Sequence, residues 1–127
     1  MAFVFDTQTG NITMPTGDTG DIHVNVNYDE LKEGDAVLFA VFDKYDKTGG
    51  DLLIKTADIV DGKAHIRLCN ADTRNLAAGA YKWQLRIVTD PARDENGNII
   101  ADECTDNVIS VFQTPPTFKL TRGGAYV

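Results

Sequence analysis

Asp18-Thr19-Gly20 is the first group of residues in this chain that could do chemistry. An Asp-Thr-Gly loop is what one half of an aspartic protease presents, two such carboxylates sharing a proton across a dimer. A chain of 127 residues has the length of a retroviral-type protomer. The protease loop follows an apolar strand, however, whereas Met14-Pro15-Thr16-Gly17 precedes this one, and the later apolar-apolar-Gly segment is missing. The competing reading is a Gly-rich turn in which Asp18 bonds local backbone amides.

Three other groups invite a similar test. Asp94-Glu95-Asn96-Gly97-Asn98 has the composition of a calcium loop, but placing Gly97 sixth puts Ala92 first, where a carboxylate is required. No bidentate glutamate follows, so an acidic surface hairpin is expected. His23 and His65 fall on the polar faces of expected strands. As neighbours in one sheet they could share a metal, but Cys69 is the only candidate third ligand, and surface imidazoles are expected instead. Cys69 and Cys104 show no Cys-x-x-Cys spacing and are expected to be reduced thiols, too far apart to bridge. There is no Gly-x-Ser-x-Gly elbow and no Gly-rich phosphate loop ahead of a helix. The reading is a protein that is not an enzyme, with no catalytic residue, metal ligand or cofactor.

These residues sit in a chain whose pattern is that of strands. Short apolar segments recur every eight to fifteen residues, each followed by a turn signal. Ile22, Val24, Val26 and Tyr28 alternate with His23, Asn25 and Asn27, the period of a half-buried strand. Residues 36–43 are continuously apolar up to Asp43, as a central strand covered on both sides would be. Leu52-Leu53-Ile54 is short, and Asp61-Gly62 makes a turn. Ala64, Ile66 and Leu68 then alternate with His65, Arg67 and Cys69. In residues 80–89, Tyr81, Trp83, Leu85 and Ile87 are expected to face in, and Lys82, Gln84 and Arg86 out. Asn96-Gly97 marks a loop with a small hairpin of its own. Residues 107–113 form the strand that closes the domain, stopped by Pro115-Pro116. With Asn11–Met14 this makes about seven antiparallel strands, and only Asp72–Ala78 could form a turn of helix.

The fold expected is therefore all-β, an immunoglobulin-like sandwich. Leu76-Ala77-Ala78-Gly79-Ala80-Tyr81 leading into Lys82-Trp83 has the form of the tyrosine corner before strand F. Trp83 stands where antibody domains have a cysteine, and Phe39 and Phe42 stand where their strand C has a tryptophan. The chain divides into an N-terminal arm (1–10), the sandwich (11–113) and a C-terminal arm (114–127).

Composition narrows the partners. The net charge is −7 and lysine and arginine nowhere cluster, which argues against nucleic acid and anionic membrane. No stretch reaches the apolar length of a membrane span. The N-terminus lacks the basic and apolar regions of a signal peptide, so a cytoplasmic protein, or one assembled there into a particle, is expected. An apolar fraction of 43% is enough for a core without disulfide or metal.

Three segments taken together resemble a known group: Ile12-Thr13-Met14-Pro15-Thr16-Gly17-Asp18-Thr19-Gly20, Asp35-Ala36-Val37-Leu38-Phe39-Ala40-Val41, and Leu76-Ala77-Ala78-Gly79-Ala80-Tyr81-Lys82-Trp83-Gln84-Leu85. They are similar to the N-terminal immunoglobulin-like domain of upper baseplate proteins from phages of Gram-positive bacteria, over roughly residues 11–90. The resemblance implies a non-enzymatic phage or prophage tail component that docks to other virion proteins and assembles in the bacterial cytoplasm. Family members continue into coiled or receptor-binding regions, whereas this chain stops at Val127, which favours a small adaptor, expected as a homo-oligomer. The alternative is a sandwich that binds a carbohydrate or other small ligand, and the remote one is the protease. Thr117-Phe118-Lys119-Leu120-Thr121 alternates again after the prolines. One reading pairs this strand with a neighbouring subunit and makes Phe118, Leu120 and Tyr126 the partner-binding residues. The other has Phe118 and Leu120 extend the protomer's own sheet.

Overall fold

The computed structural model describes residues 3–27, 30–43, 51–100 and 108–122. Its strands are β1 Val4–Phe5, β2 Ile12–Pro15, β3 Gly20–Asn25, β4 Ala36–Phe42, β5 Asp51–Asp58, β6 Lys63–Leu68, β7 Gly79–Val88, β8 Val108–Ser110 and β9 Thr117–Thr121. One helical turn, α1 Asn70–Thr73, separates β6 from β7. The larger sheet runs β1-β2-β9-β7-β4-β5 with β8 also beside β7, and the smaller is β3-β6. This is an all-β sandwich-like fold.

The alternating segments behave as their period requires. On β6, Ala64, Ile66 and Leu68 enter the core while Lys63, His65 and Arg67 stay outside. On β7, Trp83 and Leu85 join Phe39, Ile66, Ile12, Met14 and Phe118 in one buried cluster. The continuous apolar run of β4 is explained by cover on both faces. Val37, Phe39 and Val41 face the small sheet, while Leu38 and Ala40 pack with Val88 under Ala92, Ile99 and Val108. The cover on the outer side includes the hairpin at 92–100, closed by the Arg93–Ile99 bridge and pinned by Arg93, which donates to Gly34 O at 3.0 Å and to Asp58 at 2.7 Å.

Three expectations are corrected. The strands are not all antiparallel: β2 runs parallel to β9, with Ile12 opposite Phe118 and Met14 opposite Leu120. β2 crosses to the other sheet through the Pro15–Asp18 turn, so no hairpin with β9 dictates its direction. The two arms belong to the domain. β1 pairs with β2, Phe3 and Phe5 pack on the core, and a side chain at Gly20 would collide with the Phe3 ring. β9 lies inside the large sheet, between β2 and β7. Third, residues 107–113 do not close the sandwich alone. β8 borders Arg86–Val88 and β9 borders Gly79–Lys82, so the last strand is interrupted at Pro115-Pro116 and resumes beyond it.

Gln84 sits at that interruption. It was expected to face solvent but is 5% exposed. Its Nε2 donates to Phe112 O at 2.9 Å, and its Oε1 accepts from Phe112 N at 2.9 Å and Leu85 N at 3.1 Å. The side chain thus supplies the ladder bonds that the broken strand cannot. Gln84→Leu keeps most of the volume and leaves both backbone groups of Phe112 without this partner. The expected loss is about 2–3 kcal/mol, read from the urea midpoint.

The tyrosine corner is present: the Tyr81 hydroxyl donates to Ala77 O at 2.6 Å. Tyr81→Phe removes that bond alone and should cost about 1 kcal/mol by the same measurement.

Candidate functional site

Phe118 and Leu120 are 0% and 1% exposed, within the core of their own protomer. They are opposite Tyr81 and Gly79 of β7 on one side and Ile12 and Met14 of β2 on the other. Their partner-binding role is therefore corrected: both ladders of β9 are already filled, and the two side chains have no free face to offer. Tyr126 lies outside the described residues, as do Tyr28, Tyr45 and Cys104. Cys69 carries a free thiol and precedes α1, its backbone N–H donating to Asp72 Oδ2 at 2.6 Å.

Asp18 belongs to the β2–β3 turn, where its backbone N–H donates to Pro15 O at 3.3 Å. Side chains of α1 hold the turn: Gly17 N donates to Thr73 Oγ1 at 2.9 Å, and Asn70 Nδ2 donates to Gly17 O at 2.7 Å. Asp94 closes its hairpin, with Oδ1 accepting from Asn96 N and Asn98 N, each at 2.9 Å. Those backbone donors, the Asn98 N–H first, hold its carboxyl below the usual range.

The outer face of the small sheet collects polar chemistry. His23 stands directly opposite His65, as their placement on two polar strand faces allowed, and the rings stack with centroids 4.5 Å apart and planes 5° from parallel. Asp21, opposite Arg67, accepts from its guanidinium at 3.2 Å and lies 2.8 Å from His65 Nε2. The His65 hydrogen bond first, then the Arg67 charge, lower the Asp21 carboxyl. Among the described residues no set of three metal-ligating side chains converges on a common point.

What the sequence reading missed is the flank of this sheet. β5 passes to β6 through a two-residue turn, with Val60 N donating to Lys63 O at 2.8 Å and Lys63 N to Val60 O at 3.0 Å. Asp61 and Gly62 have φ of 53° and 74°, the positive pair that such a turn demands. The turn leaves no residues for a strand between β5 and β6. β6 therefore pairs only with β3 among the described strands, and beyond the Val60–Lys63 bridge its other edge has no described strand beside it. A cleft of about 520 Å³ lies between β5 and the small sheet, lined among others by Thr56, Asp58, Val60, Lys63 and His65. Val60, at its rim, is 65% exposed. The Asp61-Gly62 turn expected from the sequence is present, and as one of the strongest short-range marks of a tight hairpin it was the available signal for this flank.

No family model matches the chain, and no curated protein or solved structure matches it.

Proposed function

We propose that this domain is a non-enzymatic structural adaptor that works by protein–protein contact in a phage or prophage tail. The observation that supports a contact role is the incomplete second layer. Two strands, β3 and β6, stand against a much wider sheet, and beyond the Val60–Lys63 bridge the outer edge of β6 has no neighbour among the described strands. Open edges of this kind are where extended segments of other chains add. The tail assignment rests on the resemblance. Its three segments fall on β2 with its turn, on β4, and on the corner leading into β7. A ligand-binding reading has less support, because the described lining of the cleft beside His65 contains no Trp, Tyr or Phe ring to stack on a sugar.

The test is the particle fraction of an induced lysate from the organism that encodes the chain. The adaptor reading expects the protein to co-sediment with tails in fixed proportion to the other tail subunits. Finding it only in the supernatant of a culture that releases intact particles refutes the reading.

A further inference from the structure

We infer that the open edge of β6 docks an extended acidic strand from a partner protein, which completes the small sheet as its third strand. The inference rests on the adaptor reading and specifies the partner's chemistry.

The choice of edge follows from how the others are guarded. β1 is two residues long. β5 faces a register irregularity at Val41/Phe42 and carries a lysine, Lys55, whose ammonium is tied to Asp72 at 3.1 Å. Bulges, short strands and charges on an edge strand all discourage pairing. The start of β3 is covered by Phe3, packed on Gly20. β6 is six residues long and has no bulge, and beyond Lys63, whose backbone bonds Val60, no described strand lies beside His65 and Arg67. Its charges are all of one sign, so they turn away a like strand and not an acidic one.

The side chains of β6 then select the partner. Its outward row is Lys63, His65 and Arg67, all groups that carry or can take positive charge. On the β3 side this row meets Asn25, His23 and Asp21, and on the cleft side the carboxylate of Asp58 is already bonded to Arg93 at 2.7 Å. A strand on the free side would set alternate residues opposite the same row, and carboxylates there give favourable cross-strand pairs. A second copy of β6 is a poor occupant. Antiparallel pairing centred on His65 would place Lys63 of one copy opposite Arg67 of the other, and His65 opposite His65. Like charges facing each other repel, which turns the edge away from itself and towards an acidic strand. On the inner face, Ala64, Ile66 and Leu68 of β6 lie in the core, and Leu53 and Ala57 of β5 are only partly buried. The inward positions of the incoming strand would therefore be apolar.

The probe is a blocked peptide of alternating glutamate and valine, matching β6 in length, titrated into the isotope-labelled full chain to millimolar concentration. Amide hydrogen exchange on β6 should slow about tenfold, while β4 in the large sheet is unaffected. The Lys63→Glu/Arg67→Glu variant should bind this peptide at least about tenfold more weakly. An alternating lysine–valine peptide should leave the wild-type β6 amides unchanged. Unaltered β6 exchange with the glutamate peptide, equal binding of the lysine peptide, or protection on β5 instead of β6 overturns the inference. If the double variant does not fold, Lys63→Glu alone should still weaken binding, and unchanged affinity counts against the proposal. A chain that co-sediments with tails yet shows no β6 protection sinks this inference alone. Absence from the tail fraction sinks the adaptor reading whatever the peptide does.

Discussion

Truncation after Thr114 should give a chain that does not fold. The deleted segment contains β9, which is hydrogen-bonded to β2 in parallel and to β7 in antiparallel fashion. Without it β2 and β1 lose the one strand that, among the described residues, pairs them with the rest of the large sheet. Phe118 and Leu120, almost fully buried, leave with it. Truncating a buried Phe costs about 3–5 kcal/mol and a buried Leu about 2–5 kcal/mol. Two ladders are lost in addition, against a total stability of about 5–15 kcal/mol for a domain of this kind. The measurement is the dispersion of the amide spectrum together with near-ultraviolet circular dichroism. A dispersed, cooperatively melting spectrum from the truncated chain would show that the core closes without β9. The single change Phe118→Ala separates packing from ladder loss, with an expected cost of about 3–5 kcal/mol in a chain that remains folded.

The second large effect is expected at Trp83, where Trp83→Ala should lose at least about 3–5 kcal/mol. The indole is 1% exposed and lies at the crossing of several elements. Its ring centroid is 5.1 Å from Phe39, 5.0 Å from Phe112 and 6.1 Å from Phe5, so β4, the segment after β8, and β1 all rest on it. Its Nε1 donates to Gly10 O at 2.9 Å and so fastens the loop between β1 and β2 to the middle of β7. Trp83→Phe distinguishes the two roles. It retains an aromatic ring but leaves the Gly10 carbonyl, in a buried residue, without its donor, at a cost of about 1–3 kcal/mol beyond the lost volume. Hydrogen exchange should locate that cost at residues 4–10 before it reaches the small sheet. Uniform loosening of both sheets would mean that the bond to Gly10 O does not hold the N-terminal segment in particular.

Alternation is a property of consecutive residues, so the positions and inward faces of β3, β6 and most of β7 could be read directly from the chain. The same holds for Trp83 and for the Tyr81 corner, because both follow from residues a few positions apart. The stacked His23 and His65 were also within reach, since each lies on the polar side of its own strand. Alternation says which side of a strand is buried but not which strand lies next to it. That is why Phe118 and Leu120 were recognisable as one face of a strand, while their place between β2 and β7 was not. Gln84 was misjudged for the same reason: its outward position is buried only because a strand broken by Pro115-Pro116 has backbone groups left for its amide to bind. The open edge of β6 was the least accessible feature of all. An edge is defined by the neighbour that is missing, and only the arrangement of the whole sheet shows that, past the Val60–Lys63 bridge, no described strand fills the place beside His65 and Arg67.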